Sequence, residues 1–227
     1  MRVKFVLFLF LAFLSYLNFI SVAQADQEWL VFGDLNLSNL RSSNLPGYGF
    51  KYGDSVLGGG LGTFVPLSDF FGIEADLVYF SRDVFVRGAG DDINRLRSKY
   101  LELPIQLKLM ISQFIRVGGG IYFAKGFGPV TLTHADGSKR TTSFTDADIS
   151  SNDFGVIGSG VARFPVSDSI QVFAEVRYQR GLKNVGLAIP FGTEVHYTDV
   201  KILFGVSFAF EEIQNRIKPN QFYFRPE

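Results

Sequence analysis

Hydrophobic and polar residues alternate with a period of two along most of the chain after the first 28 positions. The clearest case is Tyr100–Leu109, YLELPIQLKL, in which Leu101, Leu103, Ile105, Leu107 and Leu109 occupy every odd place and Glu102 and Lys108 fall between them. A period of two is the strand period, so one face is aliphatic and the other carries charge. Seven further segments share it: Trp29–Ser38, Val56–Val65, Phe71–Phe80, Phe114–Lys125, Asp153–Phe164, Ile170–Gln179 and Val200–Phe210. The alternation is least regular in Asp153–Phe164, where Ile157 and Val161 interrupt it. Pro104 has no amide hydrogen for a ladder, which predicts a bulge or local irregularity within its strand.

Connections between these segments alternate in length. Pro66–Asp69, Ser112–Gln113 and Pro165–Asp168 are tight turns, whereas Asn39–Ser55, Ser81–Ser98, Gly126–Asn152 and Arg180–Tyr197 are long and polar. Short turns on one rim and long loops on the other characterise a membrane barrel, and each segment is long enough to cross a hydrocarbon core when tilted. The two turns 99 positions apart, Pro-Leu-Ser-Asp and Pro-Val-Ser-Asp, also form a faint internal echo.

The same strands could build a soluble barrel with its apolar face inward. Three features favour the inverted arrangement, with apolar residues toward lipid. The apolar rows are complete, aromatics (Trp29, Tyr79, Tyr178, Phe208, Phe210) gather near strand ends, and the opposite face mixes acids, bases and glycines. The predicted fold is therefore all-β, an eight-stranded antiparallel up-and-down transmembrane β-barrel over residues 26–210.

Before the first strand, Met1–Lys4 is basic, Phe5–Leu14 is an unbroken apolar run, and Ala23-Gln24-Ala25 has the small-x-small form of a cleavage site. This is the layout of a secretory signal peptide over residues 1–25, cut between Ala25 and Asp26, and it points to export. After the last strand, residues 211–227 form a short tail expected on the periplasmic side.

The chain has 22 basic and 22 acidic residues, and removal of Arg2 and Lys4 with the leader leaves 20 against 22. That balance gives no reason to expect a nucleic-acid partner. Cysteine is absent, which excludes disulfides, thiolate metal sites and a thiol nucleophile.

Tyr100-Leu101-Glu102-Leu103-Pro104, flanked by glycine-rich strands and short Ser/Asp turns, resembles the PorT-like group of small outer-membrane β-barrel domains. That group is related in architecture to the transmembrane domain of OmpA and to OmpX. The resemblance implies a meander-connected cylinder in the outer membrane of a Gram-negative bacterium. Its expected surroundings are membrane lipid and lipopolysaccharide, with the barrel-assembly machinery as a partner during biogenesis. An aromatic at the end of the last strand is a usual assembly signal, and here the chain runs on past Phe210.

Candidate chemistry is sparse. His196 and Thr198 have the His-x-hydroxyl spacing of lipid A deacylases, but no activating base or oxyanion site accompanies them, so His196 reads as a polar rim residue. His134 falls in the longest loop. The carboxylates Asp91, Asp92, Asp136, Asp146, Asp148 and Asp153 follow no coordination-loop spacing. Gly58-Gly59-Gly60 lacks the Lys and Ser/Thr of a phosphate cradle. No catalytic residue, cofactor or metal is expected.

The constellation that stands out is the inward set Glu74, Asp76, Glu102, Lys108, Arg116, Arg163, Glu175 and Arg177. Four acids and four bases in a low-dielectric lumen are expected to pair across neighbouring strands or to hold water. Such a network either fills the barrel or gates a narrow conduit. The function expected is non-enzymatic and structural or loop-mediated, with a porin-like channel or a lipid A-modifying enzyme as the alternatives.

Overall fold

A computed structural model describes residues 27–42, 49–87, 93–134, 136–167, 169–186 and 194–209. The expected signal peptide, its Ala25/Asp26 junction, Asp91, Asp92, Phe210 and the 211–227 tail lie outside the described residues. Ten strands form in chain order: β1 (Glu28–Ser42), β2 (Gly49–Tyr52), β3 (Val56–Pro66), β4 (Phe71–Arg87), β5 (Ile93–Met110), β6 (Ile115–Thr133), β7 (Lys139–Thr142), β8 (Asn152–Pro165), β9 (Ile170–Gly181) and β10 (Val195–Ala209).

Eight of them make a closed antiparallel cylinder in meander order, β1-β3-β4-β5-β6-β8-β9-β10, with β10 pairing back onto β1 from Glu28–Ala209 to Ser42–Val195. Closure removes the sheet edges, as a strand-built membrane protein requires. The short β2 and β7 pair only with the outer ends of β4 and β6.

Side chains alternate between lipid and lumen, and the apolar set is outside. Leu57 is 76% exposed, Leu61 57% and Phe204 56%. Trp29 lies opposite Phe208 at the short-turn rim, and Tyr79, Phe123 and Tyr178 stand near the other. The three short turns share one construction. In each, two successive amides donate to the carbonyl of the residue that opens the next strand: 67 and 68 to Phe71, 111 and 112 to Ile115, 166 and 167 to Ile170. Ser68 Oγ and Ser112 Oγ also accept from the amides that follow them. The middle turn belongs to no repeat at 99 residues, so turn chemistry accounts for the echo.

The structure gives the local expectations their physical form. At Pro104 the expected local irregularity is a gap and not a bulge: Ile105–Ala75 and Glu102–Val78 keep one register, and the ladder skips the positions between them. The actual register shift lies opposite β5 residues 97–99, where β6 carries Gly128-Pro129 with Gly128 at φ 71°. The predicted loop Ser81–Ser98 is largely strand, and Gly126–Asn152 is strand over 126–133 and 139–142, because β4, β5 and β6 continue beyond the membrane band and β7 pairs with the end of β6. Ile157 and Val161 broke the alternation in β8 because both face the lumen and are buried there.

Candidate functional site

The lumen holds charge in four stacked tiers. At the short-turn mouth, Glu28 pairs with Arg116 at 2.8 Å and also with Arg163. Arg163 additionally donates to Ser207 Oγ at 2.8 Å, and the Arg116 guanidinium lies 4.0 Å from the Phe64 ring centre.

The second tier is the densest. Lys108 Nζ is 2.5 Å from Glu175 and 3.1 Å from Glu74, and it donates to Ser159 Oγ at 2.8 Å. Arg177 reaches Asp76 and Glu175 at 2.7 Å each and Glu74 at 2.9 Å. Lys108 and Arg177 are 0% and 1% exposed, so both ions depend on these partners.

In the third tier Lys201 bridges to Glu102 at 2.7 Å and sits 3.5 Å from the Phe80 ring centre, while Gln179 donates to the same Glu102 oxygen at 2.7 Å. In the fourth, Arg82 is held by Asp199 at 2.7 Å and Asp153 at 2.8 Å, and Tyr122 donates to Asp153 at 3.0 Å. The Arg82 guanidinium lies 4.0 Å from the Tyr197 ring centre and 4.6 Å from that of Tyr100, which closes the tier with cation–π contacts.

Glu74, Asp76, Lys108, Glu175 and Arg177 thus form one cluster. Glu102, Arg116 and Arg163 stand in other tiers, with Lys201 and Glu28 as partners. The bridging differs from the expected one. Neighbouring strands supply few of these pairs. Arg177 on β9 and Asp76 on β4 lie four strands apart in either direction round the cylinder, as do Lys201 on β10 and Glu102 on β5. The tiers are cross-braces. Long bases suit them because they reach further than any acid can.

Glu28, Arg82, Asp199 and Lys201 were not singled out in the sequence, although each continues the two-residue phase of its strand. Asp153, grouped above with the loop carboxylates, is instead buried in the lumen. Asp34 is also buried, and neither of its carboxylate oxygens bonds to a described residue.

Outside the lumen, Arg95 Nε donates to Asp83 Oδ1 at 2.8 Å and its Nη2 pairs with Asp54 at 2.5 Å, tying the extended β4–β5 hairpin to the segment before β3. His196 Nδ1 is 3.1 Å from the Lys183 carbonyl and its Nε2 is 3.5 Å from Glu194; neither contact engages Thr198. His134 closes the β6–β7 turn through its backbone. Asp136 accepts from the Ser138 amide at 2.8 Å, and hydrogen bonding from Ser138 holds its carboxyl below the usual range. Asp146 accepts from Ser143 Oγ at 2.7 Å, and Asp148 sits at φ 51°. Among the described residues, no three His, Cys, Asp or Glu side chains gather as a metal site.

The outer wall decides what kind of barrel this is. From Leu101 to Leu109, from Ile115 to Phe123, from Phe154 to Phe164, from Ile170 to Tyr178 and from Val200 to Phe208, no outward position is charged. Water would leave that wall unsatisfied and hydrocarbon satisfies it, while the ions sit inside. The chain is an outer-membrane β-barrel. An apolar furrow of about 470 Å³ beside Gly160 and Ala162, near the short-turn end, adds no polar chemistry to that wall.

No family model matches the chain, and no curated protein matches it. Solved structures do. The chain is similar to the outer membrane protein OprG from Pseudomonas aeruginosa, with a TM-score of 0.50 and 15% identity over 83% of this chain and 97% of that one. It also aligns with Ail, the attachment invasion locus protein of Yersinia pestis, with a TM-score of 0.45 and 11% identity over 82% and 100%. At such identity, the likeness to OprG is one of fold.

Proposed function

We propose that this chain is a non-enzymatic outer-membrane barrel whose lumen is a structural brace and whose activity is carried by its long-loop rim. The observation that supports this reading is the Arg177–Asp76 bridge across the full width of the cylinder, with Lys108 and Glu175 locked against it. A brace of that kind occupies the place where a conduit would run. The rim, by contrast, is built outward: β4 and β5 continue to Arg87 and back from Ile93, and β2 and β7 widen the sheet there.

Membership of the PorT-like group, export directed by residues 1–25, a periplasmic tail over 211–227, and contact with lipopolysaccharide and the barrel-assembly machinery belong to the same reading. A narrow channel is the second reading, since charged lumens can conduct. Planar-bilayer recording of the refolded full chain separates the two. No discrete conductance steps are expected, and reproducible single-channel openings would replace the brace with a pore.

A further inference from the structure

Beyond the membrane band the two faces of the sheet exchange character. Outward positions turn polar, as at Arg95 and Arg97. Leu40, Val84, Leu96, Val130 and Val195, inward residues of five different strands, are apolar and buried in one cluster. Going outward, the lumen thus changes from a stack of ions to a hydrophobic ring. Val84–Leu96 is the next inward pair above Arg82–Ser98, so the ring stands directly on the fourth charge tier.

In an open cylinder that ring would face water, which disfavours so much apolar surface. The segment between β7 and β8 covers it. Residues 143–149 are folded by their own bonds: the amides of Ala147, Asp148 and Ile149 donate to the carbonyls of Ser143, Thr145 and Phe144 at 3.0, 3.1 and 2.9 Å. The Asp146 amide donates to Ser143 Oγ at 3.0 Å. This fold turns Phe144 and Ile149 down into the ring, 7% and 5% exposed, and leaves Thr145, Asp146 and Asp148 in water. The Phe144 ring stands edge-on to Tyr100, 5.9 Å between centres, and fills the space over Gly126, where a Cβ would lie 2.4 Å from it.

The segment is tethered at its ends. Before it, β7 pairs with β6; after it, the Ser150 amide donates to the Val185 carbonyl and the Gly126 amide to the Ser151 carbonyl, at 2.6 Å each. We propose that residues 143–149 are a detachable plug that seals the long-loop mouth, with Phe144 as its stopper, and that the plug lifts without unfolding the cylinder. This goes beyond the brace, which fills the lumen lower down.

The chain has no cysteine, so a single introduced thiol reports on the sealed space. Ser98→Cys, beneath the plug at a position 1% exposed, is placed in the full chain refolded in detergent and reacted with a charged methanethiosulfonate. Thr141→Cys, exposed on β7, is the open control. Ser98→Cys is expected to react at least roughly hundredfold more slowly than the control, because a buried thiol reacts only through the locally opened fraction. Adding Phe144→Ser, or Gly126→Val to displace the ring, should accelerate it roughly hundredfold, the size of a lost buried aromatic. Heat-modifiable gel migration should persist in both. Phe144→Leu, which refills most of the volume, should keep the reaction slow. Reaction of Ser98→Cys alone at the control rate would show that the mouth is open. Slow reaction in both opening variants would show that something else seals it, and loss of the gel shift in both would make the segment part of the cylinder's own core. Any of these three results overturns the proposal.

Discussion

Arg177 on β9 grips Asp76 on β4 at 2.7 Å from the opposite wall of the cylinder, and each of the two side chains is at most 1% exposed. One guanidinium serves three carboxylates, since Glu74 and Glu175 also bind it. Its planar fork suits that work, whereas an ammonium would supply only a point charge.

Arg177→Gln should therefore cost about 3–5 kcal/mol, the usual price of stranding buried partner charges. Urea unfolding in lipid vesicles, read by gel shift, measures it. A loss below about 1 kcal/mol would mean that water already solvates this tier and that the brace is loose.

Position along the outer wall should govern the cost of a charge there. Leu103→Arg, deep in the band, is expected to destabilise the barrel by about 2–4 kcal/mol, and Leu101→Arg, at its outer end, by about 0–1 kcal/mol. The same unfolding assay compares them. Equal and negligible effects would place this wall outside hydrocarbon.

Two glycines test the packing on either side of the sheet. A Cβ at Gly120 would sit 2.0 Å from the Ile105 carbonyl oxygen, so Gly120→Ala should cost about 1–3 kcal/mol through overpacking. A Cβ at Gly160 meets nothing within 4 Å, so Gly160→Ala should change stability by no more than about 0.5 kcal/mol. Reversal of that order would show that the wall is not oriented as described.

Much of this was legible in the sequence, for a physical reason. Within the hydrocarbon band every outward residue must be apolar, so alternation in Leu101–Leu109 or Val200–Phe208 is enforced and visible. Above the band the outward positions turn polar while Val84, Leu96 and Val130 are buried on the inner side, so the lipid-facing apolar row stops: Arg95 and Arg97 fall in the expected loop but lie on β5. Alternation also reports which face a side chain takes and says nothing of its position round the circumference. The eight inward charges were therefore recognisable from the sequence, while Arg177–Asp76 and Lys201–Glu102 as pairs were not. Glu28 and Arg82 escaped notice because they fall just past the ends of the predicted segments. At Pro104 the irregularity was legible but its form was not, because the missing donor is absorbed by a gap in the β4–β5 ladder instead of a shift.

The cross-braces also constrain how the molecule can be made. Lys201 finds its counter-ion Glu102 four strands away, and Arg177 and Lys108 find part of theirs three or four strands away, so a lone hairpin entering the bilayer would carry incompletely paired ions into oil. Piecemeal insertion of single hairpins is thereby costly. A ring already complete, first strand zipped to last, when its interior leaves water avoids that cost, and the seam between β1 and β10 is the pairing that completes it.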